Sequence, residues 1–380
     1  MRGKKYVALF MMVALVLGAF AGCASEPAEA ETVKIGLIAP TTGQVAVYGQ
    51  AVQNAVEQAV EEQNAAGGLL GKQIELISYD NKGDATESVN AFNRLVDNDG
   101  IDAFIGAVIS STTLTVGPLA VDAGMPMITP TGTNLEITPI GDNIFRACFI
   151  DPYQGKVIGQ FASKELGAKK AAVMFNTADD YSVGLKDAFV EAFEAIGGEV
   201  VAIEGYTGGT DKDFKALLTN VNAADPDVLF LPDYYNTVGL IADQAKEVGV
   251  EATLIGADGW DGVLGVSPES VEGAYFANHY AKDDPDEVVQ AFIAEYTGKY
   301  GEAPNALAAL GYDAAYIMFQ AIESAGSVDK AAIIDAMAAT EIDGVTGHIV
   351  FDADGNPEKS ISIITVKDGK DVLYGKFGAE

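Results

Sequence analysis

Twice along this chain of 380 residues, short apolar runs alternate with amphipathic stretches of helical length, and this repeated alternation constrains the fold more than any other feature. In the first round, strands are predicted at Val33 to Pro40, Ile74 to Tyr79, Asp102 to Gly106 and Met125 to Ile128. Helices between them are predicted at Gln50 to Asn64, closed by Gly67-Gly68, at Thr86 to Asp97 and at Leu114 to Ala123. The second round predicts strands at Ala171 to Phe175, Glu199 to Glu204, Val228 to Leu231 and Thr253 to Ile255, with helices at Gly184 to Ile196, Phe214 to Ala223 and Val238 to Val248. Continuous apolar strands separated by helices of this size are the mark of βαβ units, in which a parallel sheet is covered on both faces. Two such halves of similar length predict an α/β fold of two doubly wound lobes, which suits a chain too long for one small domain.

The rest is less regular. Three helices are expected at Glu287–Tyr300, Leu307–Ala325 and Asp329–Ala338. A hairpin is expected to pair Gly347 to Phe351 with Ser360 to Lys367 around Asp352-Ala353-Asp354-Gly355-Asn356. That turn is not a calcium loop, which needs glycine sixth and glutamate twelfth; here glycine is fourth and Ile363 twelfth.

The chain opens on Arg2, Lys4 and Lys5, an apolar run from Tyr6 to Phe20, and small residues leading into Cys23. A basic start, a short apolar core and a small-residue exit describe an export signal, and the run is shorter than the about 20 apolar residues of a membrane span. Phe20-Ala21-Gly22-Cys23 resembles the processing site of bacterial lipoproteins, with phenylalanine in place of the usual leucine. The resemblance implies a signal peptide at 1–22, a lipidated Cys23, a tether at 23–31 and a protein held at the extracytoplasmic face of the membrane or in the periplasm. A plain secreted protein cut nearby is the alternative.

Losing three basic residues and no acid takes the net charge from −32 to about −35. Such a charge excludes nucleic acid as a natural partner and disfavours anions until salt screens it beyond about 10 Å, whereas a zwitterion feels little of it. Besides Cys23 only Cys148 remains, so no ordinary internal disulfide can form. Cys148 is read as a strand residue packed as a small hydrophobe.

Catalytic signatures are sparse. His279 and His348 are the only histidines and have no metal-ligand spacing. There is no phosphate-cradling loop, and Ser267 in Gly265-Val266-Ser267-Pro268-Glu269 lacks the second glycine of a nucleophile elbow. The reading is a binder without metal or cofactor, and not an enzyme.

Sites in open α/β sheets gather at the carboxyl ends of strands. In the first half those positions hold Thr41-Thr42-Gly43 with Tyr48 entering the first helix, Ser110-Ser111-Thr112-Thr113, and Thr129-Pro130-Thr131-Gly132-Thr133-Asn134. In the second they hold Asp179-Asp180-Tyr181, Asp233-Tyr234-Tyr235 and Gly256-Ala257-Asp258-Gly259-Trp260. One half offers hydroxyls and backbone amides, suited to a carboxylate. The other offers tyrosines and an acid, suited to an ammonium. Together they match an α-amino acid. Taken singly, Ser110 and Thr133 read first as helix caps, Asp258 as a turn residue and the tyrosines as packing; their common placement after strands reverses this in favour of a site.

Several marks in order then resemble one family over nearly the whole mature chain: Ala65-Ala66-Gly67-Gly68 with Gly71-Lys72, Tyr79-Asp80, Ser110-Ser111-Thr112, Pro130-Thr131-Gly132-Thr133-Asn134 and Gly311-Tyr312-Asp313-Ala314. They are similar to the type I solute-binding proteins of branched-chain amino acid ABC transporters. The resemblance implies three hinge crossings, near Ile150-Asp151, His279-Tyr280 and Ser360-Ile363, dividing the chain into an amino-terminal lobe (32–150 plus 280–361) and a second lobe (151–279 plus 362–380). It implies that Ser110 and Thr133 hold the ligand carboxylate, that the Thr131 carbonyl and Asp258 hold the ammonium, and that Tyr48, Tyr181 and Tyr234 surround the ligand. Relatives often carry glutamate where this chain has Asp258, and an aromatic residue near Leu307.

The expected mechanism is a hinged trap. The first lobe takes the carboxylate, then the second closes with Asp258, and an unpartnered buried Asp258 would cost about 3–5 kcal/mol against acids lacking an amine. The expected partners are a small neutral amino acid (leucine, isoleucine or valine first, then alanine, then an aromatic acid or amide), ABC permease subunits and the membrane through Cys23, with the protein itself a monomer. A ligand sensor for a membrane receptor is one alternative. An exported enzyme using Asp179, Asp180, Asp233 and Asp258 is another.

Overall fold

The computed structural model describes residues 32–378. The signal peptide expected at 1–22, Cys23 and the tether expected at 23–31 lie outside the described residues. No helix among the described residues is long and apolar enough to cross a membrane.

Two sheets organise the chain. The first takes five strands in the order β2-β1-β3-β4-β5, from β1 (Val33–Ala39), β2 (Ile74–Asp80), β3 (Ala103–Ile105), β4 (Met127–Thr129) and β5 (Ile144–Arg146). All its pairings are parallel. The apolar runs predicted for β1 to β4 are there because both faces are covered, and β1, β3 and β4 are almost wholly buried. The second sheet has seven strands in the order β14-β13-β10-β9-β8-β6-β7. Five are parallel: β6 (Lys170–Asn176), β7 (Glu199–Tyr206), β8 (Val228–Leu231), β9 (Thr253–Gly256) and β10 (Tyr275–Asn278). Two antiparallel strands, β13 (Ile361–Lys367) and β14 (Lys370–Phe377), extend its edge. The α/β fold of two doubly wound lobes is therefore present.

Helices α1 (Ala46–Ala65), α2 (Ala85–Arg94) and α3 (Ser110–Asp122) belong to the first round, and α4 (Asp151–Lys164), α5 (Asp180–Ala195), α6 (Lys215–Ala223) and α7 (Tyr235–Val248) to the second. The chain then returns through α8 (Glu287–Tyr300), α9 (Ala306–Ala325) and α10 (Lys330–Ala338), with α9 packed on α1. Several helices begin earlier than their apolar periodicity suggests. Ser110 is the first residue of α3, and α7 starts at Tyr235, because the first turns carry polar residues facing the space between the lobes.

The predicted hairpin is wrong. Gly347–Val350 (β12) pairs backwards with Glu341–Gly344 (β11) as a separate two-stranded ribbon, while β13 pairs with β10 and β14. The turn of the ribbon, Val345-Thr346, gives both backbone N–H groups to buried Asp313 of α9, at 2.7 and 2.9 Å, a tertiary anchor that fixes the pairing upstream. The aspartate-rich turn folds on itself instead, with Asp352 Oδ1 accepting from the N–H groups of Asp354 and Asn356. Cys148 packs in the hydrophobic core as expected, but not on a strand. It lies beyond β5 in an irregular segment, fully buried, its thiol against the Gly132 carbonyl at 3.3 Å and pushed up to about 12 by burial.

Candidate functional site

In the first sheet the strand order reverses around β1, which has β2 on one side and β3 on the other; in the second it reverses around β6, between β7 and β8. The carboxyl ends at such switch points form crevices. Tyr48 follows β1 and Ser110 follows β3, while Tyr181 and Tyr234 follow β6 and β8. With Thr131 after β4 and Asp258 after β9, these six line a single space together with Leu307 at the start of α9. Thr133 does not reach its wall. Its hydroxyl is buried beside the Asp151 carboxyl instead.

Tyr48 is carried into the space by the first turn of α1, whose approach to β1 depends on the next residue. A Cβ on Gly49 would sit 2.3 Å from the Pro40 carbonyl carbon and oxygen, so only glycine lets the helix come this close. The Tyr48 hydroxyl donates across the cleft to the Gly259 carbonyl and accepts from Tyr235 N–H at 3.3 Å. Further bonds between the lobes run from Asn236 Nδ2 to the Gln44 carbonyl and from Asn134 Nδ2 to the Asp180 carbonyl, the latter 3.0 Å. The space has a volume of about 20 Å³, room for about one water molecule, so a larger solute enters only when these bonds part.

The tyrosines form one aromatic cluster. Tyr181 and Tyr234 stack with centroids 5.1 Å apart and planes 7° from parallel, and Tyr48 meets Tyr234 and Tyr235 edge-on at 5.9 and 5.3 Å. Burial raises the hydroxyls of Tyr48, Tyr181 and Tyr234 well above the ordinary phenol value, so they act as neutral donors.

Asp258 is held by side chains from three separate segments of the chain. Its Oδ1 accepts from the Tyr181 hydroxyl at 2.7 Å and Gln154 Nε2 at 3.0 Å, and its Oδ2 lies 3.0 Å from His279 Nε2. Gln154 Oε1 in turn accepts from the Asp258 backbone N–H at 3.1 Å. Burial alone would raise this carboxyl; the bonds from His279, Tyr181 and Gln154 overcome it and hold Asp258 below its ordinary value, ionised. Gly259 seals the arrangement, because a Cβ there would stand 2.8 Å from the Tyr181 hydroxyl. The expected cost of an unpartnered Asp258 therefore needs correcting. Three donors satisfy it without a ligand, and what an amine-free acid leaves behind is an uncompensated charge, not an orphaned carboxylate.

On the opposite wall the hydroxyls are lightly bound. Ser110 Oγ accepts only a 3.3 Å bond from Asn134 N–H, and the Thr131 hydroxyl is turned to the Val108 carbonyl. The loop carrying Thr131 and Thr133 is fixed by Arg146, fully buried at the end of β5, which donates to the carbonyls of Gly132 and Asn134 at 2.8 and 2.9 Å.

Of the four acids considered for catalysis, only Asp258 lines the space. Asp179 caps α5, Asp233 is held by the Tyr206 hydroxyl at 2.7 Å and raised by burial to about 7, and Asp180 is exposed. Among the described residues no cluster of His, Cys, Asp or Glu is arranged to hold a metal.

Gln154, His279, Arg146 and Asp151 were not singled out in sequence as site residues. Arg146 had one signal, a lone cation inside the apolar run Ile144-Phe145-Arg146-Ala147-Cys148-Phe149. Asp151 is fully buried beside the Thr133 hydroxyl; burial, reinforced by the charge on Asp258, pushes its carboxyl well above the ordinary value.

Residues 32–371 match the sequence signature of the family described as periplasmic binding protein. The chain is 32% identical over 342 residues to the leucine-, isoleucine-, valine-, threonine- and alanine-binding protein of Pseudomonas aeruginosa, covering 89% of this chain and 90% of that one. It superposes with TM-score 0.86 at 34% identity on the branched-chain amino acid transporter substrate-binding protein LivJ of Streptococcus pneumoniae in complex with isoleucine, over 92% and 99% of the two chains. A solute-binding protein of an ABC transporter from Rhodopseudomonas palustris, in complex with 3,4-dihydroxybenzoic acid, gives TM-score 0.83 at 27% identity, over 92% and 98%. The chain belongs to the periplasmic binding protein family, with the type I architecture of two lobes and three crossings.

Proposed function

We propose that this chain is the extracytoplasmic substrate-binding component of an ABC importer, capturing a neutral α-amino acid between its lobes and presenting it to a membrane permease. Leucine, isoleucine and valine come first. The observation that carries this reading is the convergence of Tyr48, Ser110, Thr131, Tyr181, Tyr234 and Asp258 from both lobes on one space, with an ionised acid on one wall and the lightly held Ser110 hydroxyl on the other. An α-ammonium neutralises Asp258, while Ser110 and, once the lobes part, Thr133 take the α-carboxylate. Leu307, the tyrosines and Ile109 leave an apolar lining for an aliphatic side chain.

The hinge runs through the segments near 150, 280 and 361, which divide the lobes into 32–150 plus 280–361 and 151–279 plus 362–380. Cys23, lipidated after removal of residues 1–22, tethers the monomer to the membrane. An amine-free aromatic acid is the second reading, favoured by the three protein donors that already satisfy Asp258. Calorimetry with the twenty amino acids, benzoate and small amides decides between them. Micromolar or tighter binding of branched-chain amino acids supports the proposal, and binding of benzoate alone overturns it. Loss of amino-acid uptake on deletion tests delivery, and retention of the chain in detergent extracts only when Cys23 is present tests the anchor.

A further inference from the structure

The strongest unassigned feature of the molecule lies at the hinge. His279 sits on the second crossing, its side chain wholly buried, with Nε2 3.0 Å from Asp258 Oδ2. Its ring stacks on Phe149 of the first crossing at 3.7 Å and 21°. Its Nδ1 is buried with no hydrogen-bond partner. A neutral ring donating from Nε2 leaves only an unpaired acceptor at Nδ1. A protonated ring would bury an unpaired N–H, the costlier orphan. We propose that His279 is a positioning residue for the ammonium site, holding Asp258 from Nε2 when neutral and competing with the ligand's amine when protonated, so that amino-acid capture releases a proton.

This rests on the reading of Asp258 as the partner of the amine. Three acceptor directions of the Asp258 carboxylate are already taken by Tyr181, Gln154 and His279, which leaves one for the ligand. Two cations would then meet on one carboxylate if His279 stayed charged. The surroundings act in the same direction. Burial depresses the imidazole below its ordinary value, Asp258 and Asp261 oppose that, and Lys359 of the third crossing adds to it. Lys359 is itself buried and bonded to the Ala147 carbonyl of the first crossing at 2.9 Å. Asp151, on the first crossing, acts on Asp258. The sign follows: affinity is constant at high pH and falls, by up to about tenfold per pH unit, once the pH drops below the point where the free protein's His279 protonates.

The chain has only two histidines, and His348 stands exposed on the separate ribbon, an internal control. Imidazole NMR titrations of the mature protein with and without saturating leucine should move the His279 midpoint down by at least one pH unit and leave the response of His348 to leucine nil. An unchanged His279 midpoint with leucine bound overturns the proposal and leaves the proposed function standing. Leucine that perturbs no signal at any pH overturns both. In calorimetry, His279→Gln, which keeps an N–H donor, should hold leucine affinity within about threefold of wild type at pH 7.5 and abolish its decline towards pH 5. A decline that survives in His279→Gln belongs to Asp151 and overturns the assignment. A purely structural role would lower affinity equally at every pH.

Discussion

The two walls of the cleft are built on opposite principles. The wall of the second lobe is finished in advance: Asp258 has three side-chain donors and Tyr181 is pinned between Asp258 and the Gly259 N–H. The wall of the first lobe is left incomplete, with Ser110 engaged only by a 3.3 Å bond from Asn134 N–H and the Thr131 hydroxyl turned away to the Val108 carbonyl. A preorganised acid costs nothing to arrange when an amine arrives, whereas an unsatisfied hydroxyl gains most from a carboxylate. On the proposed reading, the contrast makes the first lobe the one that needs a ligand and the second the one that judges it.

That contrast can be broken most sharply at Asp258. Asp258→Ala should weaken branched-chain amino acid binding at least tenfold in calorimetry, and near-wild-type affinity would refute its role. Next in size is the scaffold of the incomplete wall. Arg146→Met removes a buried cation from two carbonyls of the Thr131 to Asn134 loop, and should lower stability by about 1–3 kcal/mol in urea denaturation together with a several-fold loss of affinity. Unchanged binding would show that the loop is held by other means. Gln154→Ala should cost about 1–2 kcal/mol of affinity by loosening Asp258; a loss confined to stability would make Gln154 a packing residue.

Asp151 tests the hinge between the walls. Its carboxyl is raised above the unfolded value, so its contribution favours the fold at low pH and is lost as the pH rises through the folded value. Asp151→Asn should therefore gain melting temperature relative to wild type at pH 7 and lose that advantage near pH 4. A difference that does not vary with pH would contradict the sign. The smallest effect is expected at Tyr48→Phe, which deletes the hydroxyl reaching Gly259 and Tyr235 across the cleft. About 0.5–1.5 kcal/mol should appear mainly as faster ligand release in stopped-flow measurements.

Much of this was legible in the chain because buried parallel strands write themselves as uninterrupted apolar runs. Val33–Ala39 and Val228–Leu231 needed no tertiary information. Strand β14 did, since it alternates exposed Lys370, Tyr374 and Lys376 with half-buried neighbours at a sheet edge. Helix α4 was missed because Asp151, Pro152, Gly155 and Gly159 mask its apolar stripe of Val157, Ile158 and Phe161. The hairpin error has the same origin: an acid on α9, distant in sequence, selects which strands pair. The site divides likewise. Residues following strands could be read from the strands themselves, but Gln154, His279 and Arg146 come from the crossings and their flanks, where no periodicity marks them.

The buried thiol of Cys148 has a practical side. It is the only cysteine among the described residues, and its high proton affinity and burial keep it from alkylating reagents at neutral pH. In protein whose Cys23 is lipidated or removed, a reporter cysteine placed at a rim position such as Leu135, exposed beside the groove between α4 and α5, would take a fluorophore selectively without prior removal of the Cys148 thiol. Jaw movement could then be followed optically in an otherwise unaltered protein.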